Sequence, residues 1–202
     1  MNAQLNELYN TIYQNNDNQQ PLPFIALVDP VIESITATDL SGTMDFPKAT
    51  KLLTDYGIHL ANTGNFNKAI KYLNKAAFLF ENDKKTQGKP ITQTPLYETI
   101  LLYRGVAFYN TRRYKQARAD LKRLAGSFPQ NLKYKNWYNK SVNREMTLYQ
   151  FAILILLGIT AAVYFYTRDS TGYAKTISYS ILVGCAVCGF IVDMLKRKRK
   201  LK

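Results

Sequence analysis

Apolar positions in this chain fall at helical spacing, in blocks separated by polar or proline-containing breaks. Leu5, Leu8, Tyr9, Ile12 and Tyr13 mark one face of an amphipathic helix. The polar run Gln14 to Gln20 and then Pro21-Leu22-Pro23 stop it. Phe24 to Val28 and Val31 to Ile35, around Asp29-Pro30, predict short helices or irregular backbone. Two longer blocks then share one ordered pattern of large and small residues. The first is Leu53, Tyr56, Gly57, Leu60, Gly64, Phe66, Ala69, Leu73, Ala76; the second is Leu101, Arg104, Gly105, Phe108, Arg112, Tyr114, Ala117, Leu121, Leu124, closing on Pro129.

Each block predicts a helical hairpin. Glycine inside a helix costs about 1 kcal/mol against alanine, so Gly57 and Gly105 make sense where a second helix comes close. Ala69 and Ala117 are the expected contacts on that second helix. Tyr56, Leu60, Phe66 and Leu73, and in the second block Phe108, Tyr114 and Leu121, are expected to fill the space between helices. Gly64-Asn65 reads as the first interhelical turn. Thr111-Arg112-Arg113 takes that place in the second, with a weaker turn signal. Pro129 ends the second hairpin because a prolyl residue cannot continue the helix.

Apart from Arg104 and Arg112, these positions resemble the tetratricopeptide repeat family over about Pro47 to Asn131. The resemblance implies an all-α fold of about two stacked hairpins (47–131), a class that binds proteins or peptides. Gly57 and Gly105 lie farther apart than the family's period of about 34. The polar stretch Asn82 to Pro95 accounts for the excess as an inserted loop (82–95). Such stacks need at least about three repeats, so the acidic N-terminal segment (1–46) and a juxtamembrane helix (132–147) are expected to cap this one. That second cap carries Tyr134, Trp137, Tyr138 and Val142 on one face.

The C-terminal part (148–202) reads as a transmembrane hairpin. No charge occurs between Glu145 and Arg168, and a bilayer span needs about 20 apolar residues. Residues 148–166 are therefore one expected span, and 176–195, extended by lysine stems, a second. Tyr149, Tyr164, Tyr166, Tyr173 and Tyr179 fall near the span ends, as interfacial aromatics do. Lys133, Lys135, Lys140 and Arg144 precede the first span; Lys196, Arg197, Lys198, Arg199, Lys200 and Lys202 follow the second. The connecting loop carries only Arg168, Asp169 and Lys175. By the positive-inside rule both termini are expected in the cytoplasm. Gly158 with Ala162, and Ser180 with Gly184 and Cys188, place small residues at helix-packing spacing, which allows a homo-oligomer through the spans.

The formal net charge is +13, unevenly distributed. The first fifty residues hold Glu7, Asp17, Asp29, Glu33, Asp39 and Asp45 against Lys48 alone. The remainder is strongly basic, which suits an anionic lipid surface, and the C-terminal basic run reads first as a topology anchor. Nucleic acid is not expected, since the aromatics occupy core positions and do not interleave with a basic face. Cys185 and Cys188 lie inside a span and read as packing residues. His59 is the single histidine and stands without metal-ligand neighbours in sequence. With no phosphate loop, nucleophile elbow or paired-carboxylate motif, no enzyme, metal or cofactor is expected.

The family resemblance also implies a ligand groove on the first helix of each repeat: Lys51, Thr54, Ile58, Ala61 and Asn62, then Thr99, Leu102, Val106, Tyr109 and Asn110. Ile58 and Val106 stand where a carboxylate clamp needs polar groups, so a chaperone-type clamp is not implied. Asn62 and Asn110 could hydrogen-bond a peptide backbone, or the N-terminal segment could fill the groove. The expected function is a membrane-anchored scaffold for a cytosolic protein or peptide partner. The alternative is an effector or assembly subunit whose hairpin oligomerises in the bilayer under control of the repeats.

Overall fold

A computed structural model describes residues 3–37, 45–82, 94–166 and 172–199 of the chain. Most of the expected inserted loop (83–93), the centre of the inter-span loop (167–171), Lys200 and Lys202 lie outside the described residues. Of Lys196 and Arg199 only the backbone is described. Every regular element among the described residues is helical. The chain forms two compact units, Met1–Trp137 and Tyr138–Lys202.

The first unit begins with α1 (Ala3–Tyr13), a 3-10 turn (Asn16–Gln19), α2 (Pro21–Val28) and α3 (Ile32–Ala37). The two short apolar runs are thus helical. Pro21 begins α2, and Pro47 and Pro95 lie in the first turns of α4 (Phe46–Asn62) and α6 (Pro95–Asn110). Proline fits there because a first-turn N–H has no intrahelical acceptor. α4 pairs with α5 (Phe66–Asn82), and α6 with α7 (Tyr114–Ser127). α5 and α4 both pack on α6, while α1 and α2 pack on α4.

The two hairpins share one register. A Cβ built on Gly57 would stand 2.5 Å from Leu73 Cγ, and one on Gly105 would stand 2.9 Å from Leu121 Cγ. Neither helix pair could approach this closely with a side chain at the glycine. Ala69 and Ala117 are fully buried beside these crossings, as are Tyr56, Leu73, Leu101 and Leu121. Phe66 and Tyr114 differ from expectation. As the first residues of α5 and α7 they stay partly exposed at the turn, and Tyr114 instead meets the Tyr109 ring at 5.5 Å.

The turns share three backbone bonds. Asn65 N–H donates to the Leu60 carbonyl and Arg113 N–H to that of Phe108, both at 2.8 Å. Gly64 donates to Ala61, and Arg112 to Tyr109, both at 3.1 Å. Their backbones match in hand as well: Gly64 has φ of 83° and Arg112 of 62°. The left-handed region suits glycine and costs an ordinary residue roughly 1–2 kcal/mol. The flanking helices impose this conformation on Arg112.

The second unit holds the rest of α8 (Leu132–Tyr166) and α9 (Tyr173–Arg199). α8 is one helix among the described residues long and apolar enough to cross a membrane. The apolar run of α9, Tyr179–Leu195, is shorter. Gly189 faces Ile153, with 3.8 Å from its built Cβ to the side chain, whereas Gly158 and Gly184 face open space. The small-residue rows at Gly158 and Gly184 therefore do not form the contact between these two helices.

The glycine contacts predict opposite signs for one substitution. Gly57→Ala should destabilise the full chain in detergent by about 1–2 kcal/mol, because overpacking outweighs alanine's helix preference. Gly126→Ala, in α7 with nothing within 4 Å, should stabilise it by about 0.5–1 kcal/mol. Thermal melts followed by circular dichroism would check both, and a stabilised Gly57→Ala would remove the close crossing.

Candidate functional site

The positions expected to line a groove separate into three groups. Thr54 is fully buried, its hydroxyl donating to the Thr50 carbonyl, and Leu102 is buried as well. Lys51 is engaged by α1 and its own helix: its ammonium lies 4.2 Å from the Tyr13 ring centre and 2.6 Å from Asp55. Tyr109 is pinned between the rings of Tyr114 and Trp137, each at 5.5 Å. Thr99 donates to the Pro95 carbonyl of its own helix. Ile58 and Val106 are half-buried, and Asn62 and Asn110 exposed. One helical turn separates Ile58 from Asn62 and Val106 from Asn110, so α4 and α6 each present an apolar residue followed by an amide.

A second set of contacts joins each helical layer to the one before it, and the sequence motifs did not announce them. From α4, Tyr56 donates its hydroxyl to Asp29, and from α5, Tyr72 donates to Glu33 at 2.8 Å. Lys68 and Lys71 of α5 donate to the same two carboxylates at 2.8 and 2.6 Å. Tyr13 of α1 donates to Asp55, and Lys48 to Asn6. In the second hairpin, Arg104 and Asp120 occupy the places of Tyr56 and Tyr72. They form a two-pronged, largely buried ion pair at 2.7 Å, and Arg104 also reaches Asn74 of α5 at 3.4 Å. Tyr97 and Arg123 both donate to Glu81 of α5. At the far end Tyr134 donates to Glu98. The N-terminal helices thus stand to the first hairpin as that hairpin stands to the second.

Arg104 departs from the repeat pattern, and that departure was the one sequence signal for this network. Removing one member of a buried pair leaves the other charge unpaired and costs about 3–5 kcal/mol. The surface pairs Lys68–Asp29 and Lys71–Glu33 are more exposed and individually weak. Titration behaviour follows the same contacts. Burial pushes the Tyr97 hydroxyl up to about 12, with the bond to Glu81 adding to it. Burial and Asp29 likewise raise Tyr56. For Asp29, partial burial pulls upward, but the bonds from Lys68 and Tyr56 outweigh it and the carboxyl lies below its ordinary value. Glu33 is lowered first by Lys71 and then by Tyr72.

His59 sits at the α2–α4 contact, its ring centre 4.5 Å from that of Phe24 and its Nδ1 buried without a hydrogen-bond partner. Burial lowers its pKa, with Asp55 opposing and Lys51 adding. Among the described residues no three of His, Cys, Asp and Glu gather as a metal ion would require.

These shifts predict two separate losses in acid. A histidine lowered on folding binds its proton more readily unfolded. Its stabilisation is complete above about pH 6.5 and declines below it. Asp29 and Glu33, also lowered, contribute fully above about pH 5 and are lost as pH falls through their folded values. Melting of the full chain should fall between about pH 7.5 and 5.5 in the wild type and hold steady in His59→Leu, since no other side chain has an ordinary pKa there. Asp29→Asn should blunt only the more acidic loss. No family model, curated protein or solved structure matches this chain.

Proposed function

We propose that the first unit is a tetratricopeptide-like stack that binds an extended protein or peptide segment, tethered to a membrane by a C-terminal helical hairpin. The shared register of the two hairpins carries this reading: glycine against leucine at each crossing, and three matching backbone bonds in each turn. The repeat pattern in the sequence and the stacking of successive layers support it. Ile58, Asn62, Val106 and Asn110 form the accessible part of the groove. Asn110 donates to the Val106 carbonyl, which leaves its own amide oxygen to accept from a peptide N–H. Thr54 and Leu102 belong to the wall behind that surface, and Lys51 and Thr99 to its start.

The membrane reading is supported by α8, whose most apolar window is only 11% buried and so does not resemble the core helix of a soluble domain. We take α9 as a second span through Tyr179–Leu195, with both termini cytoplasmic and the basic run after it as anchor. Arg197 bonds Asp193 one turn back, placing a neutralised pair just before the remaining cations. A second reading, assembly of the hairpin in the bilayer, is favoured by one observation. Gly158 and Gly184 present bare backbone to open space, a surface on which another helix could pack closely.

Two experiments test the proposal. Asn62→Ala with Asn110→Ala should leave the melting temperature nearly unchanged, since exposed polar changes usually fall within about ±0.5 kcal/mol. The pair should markedly reduce what the tagged full chain captures. Unchanged capture would move the function away from this groove. For topology, a cysteine at Ser170 should react with an impermeant reagent in intact cells and one at Ser127 should not. Labelling at Ser127 would reverse the orientation.

A further inference from the structure

The two interhelical turns lie side by side and line a cleft of about 420 Å³. Asn65 and Asn67 come from the first turn and the start of α5; Asn110, Arg112 and Arg113 come from the second. Among the described residues no carboxylate lines it. Thr111 is turned inward, its hydroxyl donating to the Ala107 and Phe108 carbonyls. Arg112 and Arg113 are exposed, and their side chains have no hydrogen-bond or ion-pair partner among the described residues. Arg104, Arg123 and Arg197 each hold a carboxylate instead. Two unpaired guanidinium groups thus meet three side-chain amides in a concave, acid-free space. Beside them α7 starts without a side-chain cap, so its first-turn amides add donors.

We propose that this cleft binds an esterified phosphate group. A guanidinium offers paired donors that match two phosphate oxygens, and two of them neutralise the dianion of a monoester. The amides of Asn65, Asn67 and Asn110 suit the remaining oxygens. The cleft is far larger than a bare phosphate, leaving room for the group that the phosphate esterifies. Lipid headgroup and soluble phosphate ester present the same chemistry here. Arg112 carries its guanidinium at a left-handed position that its sister turn gives to Gly64. Glycine there is therefore a substitution that removes the charge and relaxes the backbone together. The cleft is distinct from the peptide groove, sharing only Asn110 with it, and its occupancy does not depend on that reading.

Calorimetric titration of the full chain in detergent, at constant ionic strength, tests the proposal with glycerol 3-phosphate and with dioctanoyl phosphatidic acid as probes. At least one probe should bind saturably at a single site. Tighter binding of the lipid supports a headgroup as the source, and equal or tighter binding of glycerol 3-phosphate supports a soluble ester. Arg112→Gly with Arg113→Gln should raise the half-saturating concentration at least about tenfold, the loss expected for charge-assisted bonds, without lowering the melting temperature. Lys115→Gln, which removes a nearby exposed charge outside the cleft, should leave binding unchanged. No saturable binding of either probe, binding intact in the double variant, or an equal loss in Lys115→Gln would overturn the site.

Discussion

Close approach of two helices requires one of them to give up its side chain at the crossing, and the first unit is built around two such places. At Gly57 and Gly105 the facing leucine occupies the volume that any other residue's Cβ would need. The leucine gains burial, the glycine loses about 1 kcal/mol of helix preference, and the crossing fixes the register of everything beside it. Once Leu73 and Leu121 are seated, Ala69 and Ala117 fall at the next contact, and the turn has to close over the same three residues in each hairpin. That closure is strict enough to hold Arg112 in a left-handed backbone conformation.

What differs between the hairpins is how each meets the layer before it. Tyr56 and Tyr72 send hydroxyls to Asp29 and Glu33, whereas Arg104 and Asp120 at the matching places close on one another and reach back to Asn74. The N-terminal segment is acidic where α5 offers Lys68 and Lys71. Helices α1 to α3 therefore pack on the first hairpin through hydroxyl bonds that are part-buried and lysine ion pairs that are exposed. Weak, screened ion pairs set over a well-buried apolar seam (Leu5, Ile12, Phe24, Val28, Ile32 and Ile35) make that layer the least electrostatically secure of the three.

The hairpins and their crossings were legible in the sequence because the chain states the same spacing twice, with glycine and then alanine at the same two places in each copy. The short helices around Asp29-Pro30 were harder to read, since runs this brief carry no full period. Of the layer-to-layer bonds, only the departure of Arg104 from the repeat pattern left a sign in the sequence. The partners, Tyr13 with Asp55 or Arg104 with Asn74, meet only after separate helices have docked, and local sequence does not pair them. The groove was read through family positions, which give the face of a helix but not what packs against it. Hence Thr54 proved to be core and Tyr109 pinned between rings, while Ile58, Asn62, Val106 and Asn110 are accessible to different degrees. The cleft between the turns was missed because its two halves are far apart in sequence and its cations look like ordinary surface charge.

Hydrogen exchange, followed peptide by peptide in the full chain and in a chain lacking residues 1–37, would test this layered arrangement most directly. In a stack whose layers contact only their neighbours, stability passes from each layer to the next. Removing the N-terminal helices should therefore speed exchange strongly in α4 and α5 and progressively less in α6 and α7. Exchange in α4 and α5 that is unchanged by the deletion would contradict the arrangement, because the first hairpin would then stand without the layer described here as its neighbour.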